Sequence, residues 1–403
     1  MNLFQMFLVG YGILALGHLA FQLFLSHWDH IRQKKELRTK KRSEYNPSVS
    51  VVLPVYNEEP KIIESVIDYI LKQKVDDMEL LVIDDGSPNR EELISKVYSR
   101  YENQKNVRIF LPEENRGKRM VQKIGFDAAT KEVIVTIDSD TLMLDEHAIA
   151  LLVKDLSDET IGGVTGDVRV ANDRETWLSR LINYRYWTAF HQERAAQSFF
   201  NVVMCCSGPF AAYRKDVIDT VKEQYVSQMF LGKECTFGDD RHLTNLVLAL
   251  GYKVKFNEFA QVWTYVPTTV RNYVKQQVRW NKSFYREMLW TIRFAHKHNP
   301  YMLYDMVMQF VLPFLLVVSL LSMDYQIITQ GDVWHFVNYI AMIMIIGLVR
   351  ALYGFIRTKE VGFLLFVLYG FMHVLILIPV RFYALFTINR TGWGTRDLSA
   401  KTE

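Results

Sequence analysis

Uncharged apolar runs near both ends constrain the fold of this chain more than any other feature. Residues 3–25 contain no Lys, Arg, Asp or Glu, and at about 1.5 Å per residue a helix of that length crosses a hydrocarbon core of roughly 30 Å. Further apolar runs cover residues 306–323, 333–349 and 361–388. Charged and mixed sequence lies between the first run and the others. We therefore predict a polar domain held between membrane segments.

The charges beside the first run predict its orientation. A basic stretch over residues 32–42 is opposed only by Glu36, which places it on the cytoplasmic side. A cleaved signal peptide is the alternative, but residues 1–6 carry no positive charge and the run exceeds the usual apolar core of about 7 to 15 residues. We expect an uncleaved anchor, which also explains the net charge of +3 without a nucleic-acid partner.

The C-terminal runs predict a hairpin followed by a segment with two alternatives. The loop between the runs 306–323 and 333–349 lacks Lys and Arg, whereas basic residues follow the second run, so both ends of the hairpin are cytoplasmic. The run 361–388 exceeds one crossing, and basic residues after it favour a cytoplasmic C-terminus. A single crossing would contradict those charges, whereas a surface helix with a re-entrant or broken hairpin would not.

From Ser48 onward, short apolar runs alternate with helical stretches. This rhythm predicts a parallel sheet whose ligands bind at the carboxyl ends of its strands. The predicted strands cover residues 49–54, 79–83, 107–111 and 133–137. Polar residues follow three of them, namely Tyr56, Asn57 and Glu58, then Asp84 and Asp85, then Asp138, Ser139 and Asp140. We expect these side chains to share one edge of the sheet.

Three groups of residues in the polar domain carry candidate chemistry. Asp138 and Asp140 suit a divalent cation bridged to a diphosphate, although a solvated turn is the alternative. Cations around Lys118 suit phosphates, unless they form an ordinary surface loop. Asp240 lies before a helical stretch, beside Arg241 and His242. That setting suits a general base, and helix capping is the alternative.

Two amphipathic helices at the membrane surface are predicted over residues 270–280 and 284–296. No zinc site or disulfide framework is predicted, because Cys205, Cys206 and Cys235 lack the spacing of zinc ligands and adjacent cysteines are poorly placed to pair. Trp280, at the end of the first predicted helix, could form a platform for the apolar face of a sugar or serve as an interfacial belt residue.

Five motifs occur in a specific order along the chain. They are PVYNE at 54–58, DDG at 84–86, DSD at 138–140, GDD at 238–240 and QQVRW at 276–280. The set resembles the processive, membrane-embedded family 2 glycosyltransferases, which include cellulose, chitin and hyaluronan synthases, and it covers nearly the whole chain. ERAAQS at 193–198, CCSGP at 205–209 and WGTR at 393–396 are most similar to hyaluronan synthases. Rhizobial chitin-oligosaccharide synthases share much but typically lack the WGTR ending.

The resemblance implies an α/β GT-A fold, Rossmann-like with a mostly parallel sheet, inserted between transmembrane and amphipathic interfacial helices. It also implies alternate transfer from UDP-GlcNAc and UDP-glucuronate with inversion, and secretion of the nascent polysaccharide through the enzyme's own channel. Its setting would be the plasma membrane bilayer, with a cytoplasmic catalytic domain and no obligatory protein partner. A chitin or poly-GlcNAc synthase that uses UDP-GlcNAc alone is the alternative.

The resemblance also implies roles for individual residues. Asp240 would be the catalytic base, and Mg²⁺ or Mn²⁺ would be bound by Asp138 and Asp140. The UDP-sugar would be bound by Tyr56, Glu58, Asp85, Lys118, Asp138, Gln276 and Arg279. The acceptor would meet Trp280 and Cys205, although the adjacent Cys206 leaves that alignment open. Trp393, Thr395 and Arg396 would form a gating segment.

The expected domain boundaries follow from these patterns. They are a transmembrane helix at 1–28, a basic cytosolic linker at 29–47, the GT-A domain at 48–265, amphipathic interfacial helices at 266–300, transmembrane or channel helices at 301–390 with a re-entrant or interfacial segment among them, and the gating segment at 391–403.

Overall fold

The charged middle region folds around a seven-stranded sheet. The computed structural model describes residues 3–38, 44–331 and 334–390. The strands of the sheet are β1 (Val49–Val55), β2 (Met78–Asp84), β3 (Val107–Phe110), β4 (Val133–Thr136), β5 (Ile161–Val170), β6 (Ala211–Arg214) and β9 (Lys253–Thr264), and β7 (Met229–Phe230) and β8 (Lys233–Glu234) form a separate hairpin. Along the sheet the order is β3, β2, β1, β4, β6, β5, β9.

The sheet is mostly parallel, as predicted. Strands β1 to β4 pair in parallel, and so do β5 and β9. Strand β6 runs antiparallel to both of its neighbours. Every residue of β1 is buried, which is the pattern of a strand covered on both faces of the sheet. The carboxyl ends of β1, β2 and β4 therefore meet at one edge.

Helices from all parts of the chain pack around this sheet. They are α1 (Leu3–Glu36), α2 (Pro60–Leu71), α3 (Arg90–Lys96), α4 (Lys118–Ala128), α5 (Ala148–Val153), α6 (Trp177–Thr188), α7 (Ala195–Phe199), α8 (Lys215–Val226) and α9 (Asp239–Ala249). A π-helical turn, Ala189–Arg194, joins α6 to α7. Gly125 lets α4 lie directly on β1, because a Cβ atom there would be 2.5 Å from Cγ1 of Val52.

Helix α1 is longer than the predicted anchor. It continues to Glu36, so residues 29–36 of the predicted basic cytosolic linker belong to the same helix. The reason is that its last turns pack against the domain that is built on the sheet. The side-chain amide of Gln33 donates to the carbonyl of Phe256 (2.9 Å) and accepts from the backbone N–H of Glu258 (3.0 Å), which fastens α1 to β9.

One continuous helix, α10 (Val270–Ala295), replaces the two amphipathic helices that the sequence predicts. The polar residues that separate the two apolar patterns face the domain instead of ending a helix. Ser283 lies against Gly238, where a Cβ atom would be 2.0 Å from the Ser283 hydroxyl oxygen. Lys282 is likewise buried. The prediction of two helices was wrong because a buried polar contact resembles a helix break in the sequence.

Four helical segments of the described residues are long and apolar enough to cross a membrane. The first is within α1, and the next two are within α11 (Pro300–Gln330) and α12 (Trp334–Thr358). These two form the predicted hairpin. The fourth, Val361–Phe386, consists of a 3₁₀ segment (Val361–Phe366), α13 (Val367–Met372), a π segment (His373–Leu377) and α14 (Ile378–Phe386).

The fourth segment is an irregular but unbroken helix that runs alongside α10. The hydroxyls of Tyr273 and Tyr369 lie 3.0 Å apart, and further along Lys282 donates to the carbonyl of Arg390 (3.2 Å). The π turn before Pro379 accommodates a residue that cannot donate its own backbone hydrogen bond. A broken hairpin is therefore not observed within residues 361–386, and the segment packs on α11 and α12 as well as on α10, since Ile378 shares an apolar cluster with Leu316 and Ile343.

Candidate active site

A cleft of about 1000 Å³ opens at the carboxyl ends of β1, β2 and β4. Its walls come from the strand ends, the first turns of α4 and α9, the π turn and α10. The predicted site residues that line it are Tyr56, Asp85, Lys118, Asp138, Asp140, Cys205, Asp240, Gln276, Arg279 and Trp280. The sheet edge and α10 thus bring together motifs that are more than two hundred residues apart in the sequence, from Tyr56 to Trp280.

The two adjacent aspartates at the carboxyl end of β2 have different surroundings. Asp85 lines the cleft and accepts hydrogen bonds from the backbone N–H groups of Arg116 (2.7 Å) and Gly117 (3.1 Å). Asp84 is fully buried and accepts from the Tyr98 hydroxyl (3.0 Å). Only Asp85 is therefore placed to meet a ligand, whereas Asp84 holds the fold beneath it.

Lys118, the first residue of α4, joins two of the acidic motifs. Its ammonium group lies 2.5 Å from Asp138 and 3.2 Å from Asp239. Burial by itself would lower the pKa of Lys118, but these two carboxylates outweigh burial and raise it. Gly208 leaves room for the pair, since a Cβ atom there would be 3.1 Å from a carboxylate oxygen of Asp138. Lys118 is a permanent cation at the centre of the cleft.

A second acidic group surrounds Asp140. Burial raises the pKa of Asp140 to about 7, and the neighbouring carboxylates of Asp138 and Glu58 add to that rise. Glu58 does not line the cleft. It lies behind Asp140, where it accepts a hydrogen bond from the Ser139 hydroxyl (2.9 Å). Like charges held this close favour a proton or a cation between them.

The donor set at Asp138 and Asp140 fits a hard divalent cation. Carboxylate oxygens are the ligands that Mg²⁺ and Mn²⁺ prefer, and a cation there would relieve the repulsion that raises the pKa of Asp140. Among the described residues no three metal-ligating side chains converge on one point. A cation held by these carboxylates would therefore need further ligands from a bound substrate, as is usual for Mg²⁺ with phosphates.

Asp240 lies in the first turn of α9 and points into the cleft. The N-cap position is taken by Gly238, which has a left-handed backbone (φ +78°), so helix capping does not account for Asp240. Its carboxylate accepts from the backbone N–H of Arg241 (2.8 Å) and from the Cys205 thiol (3.6 Å). Burial, with Asp239 next to it, raises the pKa of Asp240, which makes the carboxylate a better proton acceptor.

The structure distinguishes the two adjacent cysteines. Cys205 lines the cleft, whereas Cys206 is fully buried and its backbone N–H donates to the Thr244 hydroxyl (2.8 Å). Burial raises the pKa of Cys205 to about 11, and Asp240 contributes to the rise. The Cys205 thiol therefore stays protonated and donates toward Asp240.

Helix α10 supplies the wall opposite the sheet. Trp280 is 43% exposed, and its ring centroid lies 6.3 Å from that of Tyr186. One turn earlier, the amide oxygen of Gln276 is buried and has no hydrogen-bond partner within the described residues. An exposed indole and an unused acceptor in one cleft are features of a binding surface rather than of a packed core.

Several residues of the cleft were not predicted. They are Arg185 and Tyr186 on α6, Glu193 and Arg194 on the π turn, Gln309 on α11, Tyr369 on α13 and Arg381 on α14. The motif at 193–198 was a signal for two of them, but the π turn that aims them is not visible in a sequence. The proposed gating residues Trp393, Thr395 and Arg396 lie outside the described residues.

This mostly parallel sheet, with acidic residues at its carboxyl edge, defines a GT-A glycosyltransferase domain. A mannosyltransferase from Pyrobaculum calidifontis, solved in complex with GDP-Man and Mn²⁺, has the same fold, with a TM-score of 0.57 and 20% sequence identity over 90% of this chain and 98% of that one. Residues 50–222 match the family described as Glycosyl transferase family 2.

Sequence relatives make the assignment more specific. The chain is 34% identical over 359 residues to an N-acetylglucosaminyltransferase of Mesorhizobium japonicum, covering 89% of this chain and 84% of the relative. It is 30% identical over 424 residues to hyaluronan synthase 2 of Rattus norvegicus, covering 96% of this chain and 76% of the relative. The chain belongs to the family 2 glycosyltransferases and is a hyaluronan synthase-like enzyme. With four candidate spans, it is a membrane protein.

Proposed function

We propose that this protein is a processive, inverting glycosyltransferase that polymerises UDP-GlcNAc and UDP-glucuronate into hyaluronan and moves the polymer through its own membrane channel. One observation carries the proposal. The cleft that is lined by Asp85, Asp240 and Trp280 is also lined by Gln309 and Arg381, which belong to segments long and apolar enough to span a membrane.

The nucleotide occupies the sheet edge. Asp85 and Tyr56 bind uracil and its ribose, with Asp85 held in place by the backbone N–H groups of the loop before α4. Gln276 and Arg279 on α10 bind the diphosphate from the other side. Glu58 supports the nucleotide site from behind the cleft, where it accepts a hydrogen bond from the Ser139 hydroxyl. The donor sugar then lies between the strand ends and α9.

A divalent cation, Mg²⁺ or Mn²⁺, held by Asp138 and Asp140 supplies neutralising charge for the diphosphate when bound. Lys118 carries a positive charge to the same place, since its ammonium group lies 2.5 Å from Asp138. Arg279 adds a guanidinium on the α10 side. Charges fixed in position before the reaction stabilise a developing anion without reorganising.

Asp240 acts as the general base. The acceptor hydroxyl attacks C1 of the donor sugar from the face opposite the diphosphate, so a glycosidic bond forms, the bond from C1 to the diphosphate oxygen breaks, and the configuration inverts. The hydroxyl proton passes to Asp240, and UDP leaves with the bonding electrons. The raised pKa of Asp240 brings its basicity closer to working pH, which favours proton transfer.

The acceptor chain extends from Asp240 over Trp280 toward the membrane helices. The exposed indole and Tyr186, 6.3 Å from it, form an aromatic floor for sugar rings, with Cys205 at its edge. The catalytic domain lies on the cytoplasmic side of the plasma membrane, as the basic residues after the first span predict. Trp393, Thr395 and Arg396 remain the proposed gating segment over the nucleotide.

A second candidate is a chitin or poly-GlcNAc synthase on the same scaffold. It is favoured by the relative from Mesorhizobium japonicum, an N-acetylglucosaminyltransferase with 34% identity. Purified protein in lipid should be given each UDP-sugar alone and then both together. The proposal predicts high-molecular-mass polymer only with both donors. Polymer made from UDP-GlcNAc alone would establish the second candidate instead.

A further inference from the structure

The acceptor end of the cleft is rich in guanidinium groups. Arg194, Arg241 and Arg381 all line the cleft, and the guanidinium carbons of Arg241 and Arg381 lie 5.5 and 5.2 Å from the centre of the Phe284 ring. The carboxylate of Glu193 at this end is already occupied, because Arg185 binds it at 3.0 Å and Arg350 at 3.3 Å. Positive charge is therefore in excess on the side of the cleft where the polymer, and not the nucleotide, is expected.

These cations lie close to the reaction. The Nε atom of Arg194 donates to the carbonyl of Cys205 (3.1 Å), and the thiol of that cysteine lies 3.6 Å from Asp240. Arg381 reaches the same region from the membrane side, since its guanidinium carbon is 5.2 Å from the centre of the Phe284 ring. Phe284 is one helical turn beyond Trp280 on α10.

Within the described residues, no carboxylate forms an ion pair with Arg194 or Arg381, in contrast to Arg185 and Arg350. The Nε atom of Arg381 is buried and has no hydrogen-bond partner there. A cation away from bulk water is costly unless an anion pairs with it. A neutral sugar offers no such anion, and the diphosphate belongs at the other end, with Lys118 and Arg279.

We propose that Arg194 and Arg381 form a carboxylate-binding subsite for an acidic sugar, a uronate unit, in the growing chain. The inference rests on the proposed function, in which one of the two sugars carries a carboxylate. A guanidinium presents paired N–H donors that match a carboxylate. The aromatic floor at Trp280 accepts either sugar ring, so the two arginines give the acceptor end its preference for acidic units.

Binding of oligosaccharides to the full-length protein in detergent, with UDP present, tests the subsite. The probes are a hyaluronan tetrasaccharide and the neutral chitotetraose. We expect wild type to bind the acidic probe about tenfold more tightly, a preference that weakens as salt rises. Arg381→Gln and Arg194→Gln should each reduce the preference to about twofold or less while the affinity for chitotetraose stays unchanged. Arg381→Lys, which keeps the charge, should retain part of it.

The control is Arg293→Gln, which removes an exposed guanidinium from α10 outside the cleft and should keep the full preference. Unchanged UDP affinity shows that each variant is folded. Equal binding of both probes by wild type overturns the subsite, and so does a preference that survives in the Arg194→Gln/Arg381→Gln double variant. The sugar composition of the polymer made by the wild-type protein is measured in a separate experiment. A GlcNAc-only polymer refutes the proposed function, whereas a mixed polymer without the acidic preference refutes only the subsite.

Discussion

The adjacent carboxylates Asp239 and Asp240 should respond oppositely to the same substitution. Asp240 has a raised pKa, because burial and Asp239 disfavour its charge. Burial also opposes the charge of Asp239, but Lys118 at 3.2 Å and Arg119 outweigh burial and lower its pKa. Folding therefore destabilises the ionised form of Asp240 and stabilises the ionised form of Asp239. Each pKa unit corresponds to about 1.4 kcal/mol.

The sign at neutral pH follows from linkage. A raised pKa means that wild type loses stability as pH rises through the titration of Asp240, so Asp240→Asn should raise the melting temperature at pH 7. A lowered pKa means that Asp239 contributes stability above its unfolded pKa, and this contribution disappears as pH falls. Asp239→Asn should therefore lower the melting temperature at pH 7 and have little effect in acid.

Activity should change differently from stability. Asp240→Asn keeps the shape of the side chain but removes the base, which costs about 10²- to 10⁴-fold in turnover, or about 3 to 5 kcal/mol of barrier. The assay is UDP release from both donors, paired with thermal unfolding of the same preparation. A variant that is more stable and nearly inactive supports the assignment. Turnover within threefold of wild type, or a melting temperature below wild type, would refute the reasoning.

Three further predictions concern other parts of the cleft and core. Trp280→Ala should release UDP but yield short products on a sizing gel, whereas full-length polymer would make the indole an interfacial anchor only. Mn²⁺ affinity, measured by calorimetry with UDP present, should rise with pH up to about 7, because the cation must displace the proton from Asp140; a pH-independent affinity would remove Asp140 as a ligand. Gly125→Val should cost about 1 to 3 kcal/mol of unfolding free energy by denaturant titration through overpacking on Val52, and an unchanged midpoint would contradict that contact.

The sheet edge of the site could be predicted from the sequence because strand ends carry their own signal. Apolar runs in the sequence show where the strands lie, and Asp85, Asp138 and Asp140 follow the strand ends within four residues. Asp240 could be placed before a helix in the same way. The pattern could not separate Asp84 from Asp85, since only packing against Tyr98 assigns one of them to the core.

The membrane side of the site was harder to predict because it depends on irregular helices. Arg194 enters the cleft through a π turn, and Arg381 follows another π turn before Pro379. Neither distortion has a reliable signature in a single sequence. The break predicted within α10 was wrong for a related reason. In a sequence, a buried polar residue such as Ser283 cannot be distinguished from a polar residue of a surface loop.

The most direct test of the central claim is where the polymer accumulates. Protein reconstituted into sealed vesicles should receive both UDP-sugars from outside, so that only molecules with an outward-facing catalytic domain react. Hyaluronidase is then added with and without detergent. Synthesis coupled to transfer across the membrane predicts polymer that resists the enzyme until detergent opens the vesicles. Polymer degraded equally in intact vesicles would contradict the account.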